Sequence, residues 1–146
     1  MAPPFNPKKH QIYNPLNMKK FRGSQNPICR SSWEYAFCKY LDANSSVLEW
    51  SSESLIINYM FLGKRKRYYP DFIVKMKSKG KIITWVIEIK PYKETIQPKK
   101  SSGKSRKTKL YERHTWEKNK QKWKYAKNYC DRMSWKFAII TEKELF

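Results

Sequence analysis

Asp71, Glu88 and Lys90 stand where strand pairing would bring acids and a base together. Phe72-Ile73-Val74 and Ile82-Ile83-Thr84-Trp85-Val86-Ile87 read as strands, with Ser78-Lys79-Gly80 between them. If Lys79-Gly80 is a two-residue hairpin loop, Ser78 pairs with Lys81, and counting back along both arms sets Asp71 opposite Glu88. Opposed side chains share a face about 5 Å apart at Cβ, and Lys90, two places beyond Glu88, returns to that face. The other face would pair Phe72 with Ile87, Val74 with Trp85 and Met76 with Ile83. A slip of one residue would scramble that apolar surface, so packing specifies the carboxylate pair.

Two carboxylates this close repel unless positive charge lies between them. A hard divalent cation suits oxygen ligands, and magnesium commonly takes one or two carboxylates with waters and substrate phosphate oxygens. Lys90 could then orient or deprotonate a water, or neutralise charge on a phosphate in the transition state. The same spacing also suits a partly exposed sheet face with an Asp–Lys or Glu–Lys cross-strand pair. Ile73 and Val86 on that face, and the basic chain around it, fit solvated decoration poorly.

The surrounding elements follow from periodicity. A helix is expected from Ser31 to about Ala43, with Trp33, Ala36, Phe37, Tyr40 and Leu41 on one apolar face. Glu34, at the edge of that face, has two readings: it closes a capping box with Ser31, or it looks inward toward the acid pair. Strands are expected at about Val47–Trp50 and Leu55–Phe61, the second apolar on both faces as an interior strand would be. Lys64-Arg65-Lys66-Arg67 reads either as a solvated turn or as a phosphate-holding run. Residues 91–108 have the composition of a basic mobile loop. A long helix should run from Lys109 to about Arg132, packing Trp116, Trp123, Ala126, Cys130 and Met133 inward. Asn119 falls on that stripe and must find a partner or face the site. Trp135–Ile140 should add a strand parallel to a neighbour after the helical crossover, and Thr141-x-x-Glu144 should cap a terminal turn.

The chain of 146 residues suits one domain, residues 29–146, behind a Pro- and Asn-rich basic arm over residues 1–28 with little regular structure. That arm could embrace nucleic acid, dock on a partner or stand in solvent. Lys and Arg number 32 against 12 acids, a net charge of +20 that points to nucleic acid and to salt-sensitive binding. Cys29, Cys38 and Cys130 make no CxxC pair and read as reduced thiols rather than zinc ligands or a disulfide framework. His10 and His114 are too few for a histidine-rich metal site. No apolar run has the length of a membrane span, and the N-terminus lacks a signal-peptide core. Contacts to nucleic acid are expected from Arg30, Arg65, Arg67, Lys93, Asn119 and Lys122.

Pro70-Asp71, the strand turn and Glu88-Ile89-Lys90 together resemble the PD-(D/E)xK nuclease motif, with Glu34 of Arg30-Ser31-Ser32-Trp33-Glu34 matching an upstream helix Glu. From about Arg30 to the C-terminus the layout resembles the small head-completion endonucleases of tailed phages, themselves similar to TnsA-like transposition nucleases and phage junction resolvases. The resemblance implies an α/β, restriction-endonuclease-like core: a mixed sheet of about four to five strands flanked by helices, in the order α-β-β-β-α-β. It implies a metal-dependent endonuclease in which Asp71, Glu88 and the Ile89 carbonyl hold Mg2+ or Mn2+. Glu34 would assist through water, and Lys90 would act on the attacking water. It further implies double-stranded or branched DNA as substrate, phage head and portal proteins as partners, and work in the host-cell cytoplasm or the virion. A non-catalytic DNA-binding virion protein would instead bind DNA without metal-dependent nicking, and a junction resolvase or transposition nuclease would prefer branched DNA or a partner subunit.

Overall fold

The computed structural model describes residues 10–99 and 103–146. In chain order the elements are β1 (Gln11–Ile12), β2 (Ile28–Cys29), α1 (Ser32–Ala43), β3 (Val47–Ser52), β4 (Ile57–Phe61), β5 (Lys64–Tyr68), β6 (Phe72–Ser78), β7 (Lys81–Ile89), a 3-10 turn at Tyr92–Glu94, α2 (Arg106–Met133), β8 (Lys136–Ile140) and α3 (Glu142–Leu145). The main sheet has the order β3-β6-β7-β8: β6 runs antiparallel to both β3 and β7, and β8 joins β7 in parallel after the α2 crossover. This is the expected mixed sheet with helices on both faces.

The β6–β7 hairpin has the register that the apolar pattern demands. Phe72 opposes Ile87, Val74 opposes Trp85, and Ser78 opposes Lys81. Lys79 and Gly80 both have positive φ, 49° and 77°, as a two-residue turn matched to strand twist requires. Phe72, Val74 and Ile87 enter a core with Trp33, Phe37, Cys38 and Leu41 of α1, and Val47 and Trp50 of β3. The opposite face carries Val86 beside Phe137 and Glu88 beside Ile139, and Phe137 packs in a second cluster with Ala126 and Trp123 of α2. The acidic face of the hairpin is therefore the α2 face.

Several expectations need correction. Leu55–Phe61 is not an interior strand. Its ordered part, β4, pairs only with β5 in a separate two-stranded ribbon. Ile57 and Tyr59 pack with Tyr68 against α2, while Ile56 and Met60 remain 47% and 41% exposed on the outer face. Apolar residues on both faces thus reflect one packed face and one open face. The Lys64–Arg67 run is not a turn but most of β5; Leu62 and Gly63, with φ of 51° and 73°, make the turn instead. Helix α2 starts at Arg106, since Ser105 caps it by accepting the Thr108 amide at 3.2 Å, so residues 106–108 leave the expected loop. Met133 at its end is exposed rather than packed.

Residues 10–28 fold onto the domain instead of standing away from it. Buried Asp42 of α1 accepts the Tyr13 hydroxyl at 2.6 Å and the Leu16 and Asn17 amides at 2.6 and 3.0 Å. Burial alone would raise its pKa, but these donors hold the carboxyl below its ordinary value. Phe21 bridges to Trp50 in parallel, covering the outer edge of β3. Residues 1–9 and Lys100, Ser101 and Ser102 lie outside the described residues. Among the described residues no helix is long and apolar enough to cross a membrane.

Candidate active site

The candidate centre lies where β6 begins and β7 ends. Asp71 immediately precedes β6 and accepts the Ile89 amide on its carboxylate at 2.7 Å. A strand residue sends its own N–H and C=O toward the same edge, so the Ile89 carbonyl also projects toward the Asp71 side. The next residue alternates: the Lys90 amide turns away and donates to Ile140 at 3.0 Å. Glu88 is 5% exposed and accepts the Tyr68 hydroxyl at 2.5 Å. The Asp71 and Glu88 carboxylates lie close enough for each to raise the cost of charging the other. Burial, then the charges of Glu88 and Glu34, drive the Asp71 pKa well above its ordinary value.

Glu34 arrives from the first turn of α1; Ser31 caps that helix, but the Glu34 carboxylate does not accept the Ser31 amide, so the expected capping box is not closed. Its amide donates to Ser31 Oγ at 3.2 Å, completing the helix cap. Its carboxylate takes the Ser31 hydroxyl at 3.2 Å and hydrogen-bonds the Arg30 backbone, while lying near Asp71. Burial raises its pKa to about 7; the Arg30 and Ser31 bonds oppose the rise, and Glu53 and Glu88 add to it. Glu53, at positive φ just beyond β3, completes a trio with Glu34 and Asp71, each with a carboxylate oxygen within 4.8 Å of the others. Its amide donates to the Asp71 carbonyl at 3.0 Å, which ties that turn to the start of β6.

Cations surround this cluster. Arg30 forks onto Glu53 with contacts of 2.8 and 3.1 Å, so the expected nucleic-acid contact is also an internal ion pair. Lys122 of α2 is half-buried, with Nζ 5.6 Å from the centre of the Tyr68 ring. Desolvation lowers its pKa, the Glu88 and Asp71 charges oppose that, and Lys90 and Lys118 reinforce it. Lys90 itself is half-buried at the end of β7. Asn119, one turn before Lys122, is 6% exposed on the packed side of α2. Arg65 and Arg67 lie on the outer face of the ribbon, opposite Met60 and Asn58. Lys93 is exposed on the 3-10 turn, outside the hydrogen-bonded cluster.

A part-buried, all-oxygen cluster in which Glu34 and Asp71 are pushed toward neutrality is unfavourable without a cation, and its donor set suits a hard divalent ion. A match over residues 44–142 to the family model for the TnsA-like endonuclease N-terminal domain spans most of the chain. The chain belongs to the TnsA-like endonucleases. It is also 36% identical over 137 residues to a protein of Enterobacteria phage T4 named head completion nuclease, an alignment covering 90% of this chain and 89% of the relative. In this TnsA-like chain, two centre residues escaped the sequence reading. Glu53 sits in an irregular turn with no motif around it. Tyr68 reads as part of the Tyr68-Tyr69 approach to Asp71, and its only sequence signal was that proximity.

Proposed function

We propose that this chain is a divalent-metal-dependent DNA endonuclease that acts in phage head completion, in the host-cell cytoplasm where heads are filled. The observation that carries the reading is Asp71: its carboxylate accepts the Ile89 amide and lies among the carboxylates of Glu34, Glu53 and Glu88. Asp71, Glu88 and the Ile89 carbonyl would hold Mg2+ or Mn2+, with Glu34 assisting through water. Bound there, the ion would supply Lewis-acid charge on the phosphate and a more acidic water.

The chain's own groups do the rest. Lys90 orients the attacking water and offsets charge on the pentavalent phosphorus. Tyr68 keeps Glu88 oriented through its hydroxyl, and Lys122 adds a second cation near the phosphate. Ile89 fixes the Asp71 carboxylate through its amide. Substrate is duplex or branched DNA, and head and portal proteins are the expected partners.

Plasmid nicking in magnesium tests this, with wild type and Asp71→Ala compared and a branched duplex alongside. Asp71→Ala should cut at least ~100-fold more slowly, the scale of losing one preorganised charged group. Equal cutting by the variant would sink the assignment.

A further inference from the structure

The β4–β5 ribbon leaves the edge of the candidate centre. Tyr68, its last residue, bonds inward to Glu88, and its inner face packs on α2. The outer face serves no core. There Asn58 opposes Arg67 and Met60 opposes Arg65, all four exposed. No acid occurs between Ser54 and Pro70. Arg22, Arg30, Lys75, Lys104 and Lys120 each pair with a carboxylate. Among the described residues, by contrast, no ion pair involves Lys64, Arg65, Lys66 or Arg67.

We infer that the outer face of this ribbon is a docking surface for the major groove of duplex DNA, with Asn58, Met60, Arg65 and Arg67 toward the groove floor and walls. The inference rests on the endonuclease reading and extends it to how substrate is held. Charge complementarity names the occupant: a run of unneutralised arginines and lysines meets the densest array of fixed negative charge available to a protein. Shape agrees, because a two-stranded ribbon fits the major groove. Chemistry agrees too. Arginine forks and a carboxamide match purine edges, and a thioether suits a thymine methyl. A five-residue ribbon spans about 17 Å, half of one ~34 Å duplex turn, so DNA held along it also reaches the carboxylates at its base.

The full-length chain carrying Asp71→Ala, which removes cutting, is used to measure duplex binding by fluorescence anisotropy across a salt series. Two double variants are added, Arg65→Ala with Arg67→Ala, and Asn58→Ala with Met60→Ala. A control, Lys79→Ala with Lys81→Ala, removes equal charge from the distant β6–β7 turn. The arginine pair should weaken binding at least tenfold and flatten the slope of log affinity against log salt by about two. The Asn58/Met60 pair should weaken binding about tenfold with the slope unchanged, and the control should change affinity less than threefold. In the Asp71 background restored to wild type, both ribbon variants should raise KM with kcat preserved. Unchanged affinity in the Asn58/Met60 variant would overturn groove docking and leave general attraction by charge. So would a control as damaging as the arginine pair. Retained cutting by Asp71→Ala would instead refute the endonuclease site, a separate result that leaves the binding measurements readable.

Discussion

The acid cluster should make the metal-free protein lose stability as pH rises from about 4.5 to 7, and a divalent cation should return it. Glu34 has an ordinary pKa of 4.5 and about 7 in the folded chain. A folded state that holds a proton more tightly than the unfolded state is favoured below the unfolded pKa, and that advantage disappears as pH climbs through the folded value. A shift of this size corresponds to roughly 3 kcal/mol from Glu34 alone. Asp71, whose pKa is also raised, acts in the same direction. For a domain this size each 1 kcal/mol moves Tm by about 2–4 °C, so the loss should be of the order of 6–12 °C. Scanning calorimetry in EDTA at pH 5 and pH 8 reads it directly. Glu34→Gln, which cannot ionise, should remove the part of the difference due to Glu34 and leave that due to Asp71, and magnesium at pH 8 should raise wild-type Tm but move Glu34→Gln less. A Tm in EDTA that holds level or rises across that window would refute the proposed electrostatics, as would a Glu34→Gln variant with an undiminished decline.

Tyr68→Phe keeps the buried ring and removes the donor to Glu88; kcat for DNA cutting should fall about tenfold with KM little changed, in line with ~1.5–3 kcal/mol for a hydrogen bond to a charged group. Lys122→Ala should lower kcat/KM about 10–100-fold and Lys122→Arg should recover part of it, as single-turnover cleavage will report. Asp42→Ala breaks the bonds that hold residues 13–17 to α1, and urea melts should place it ~2–4 kcal/mol below the parent.

Much of this protein is legible where structure repeats over short distances. The β6–β7 register follows from a two-residue period and a two-residue turn, so Asp71 and Glu88 could be set face to face without coordinates. The α1 cap and the box at Thr141 and Glu144 were equally local, and the parallel placement of β8 followed from the handedness of a helical crossover. The ribbon was not, because Leu55–Phe61 is apolar on alternate positions of both faces, and only the lack of a layer over its outer face leaves Met60 in solvent. Nor was the folding down of residues 10–28, which depends on one carboxyl of a helix met across more than twenty residues.

The acid pair was therefore written into the chain by strand periodicity, since neighbours along a hairpin are neighbours in sequence arithmetic. Tertiary packing alone brought Glu53, Tyr68 and Lys122 to it, from a strand end, a ribbon and a distant helix. Their approach depends on how whole elements bury their apolar faces against one another. No spacing within the chain records the angle at which a helix crosses a sheet.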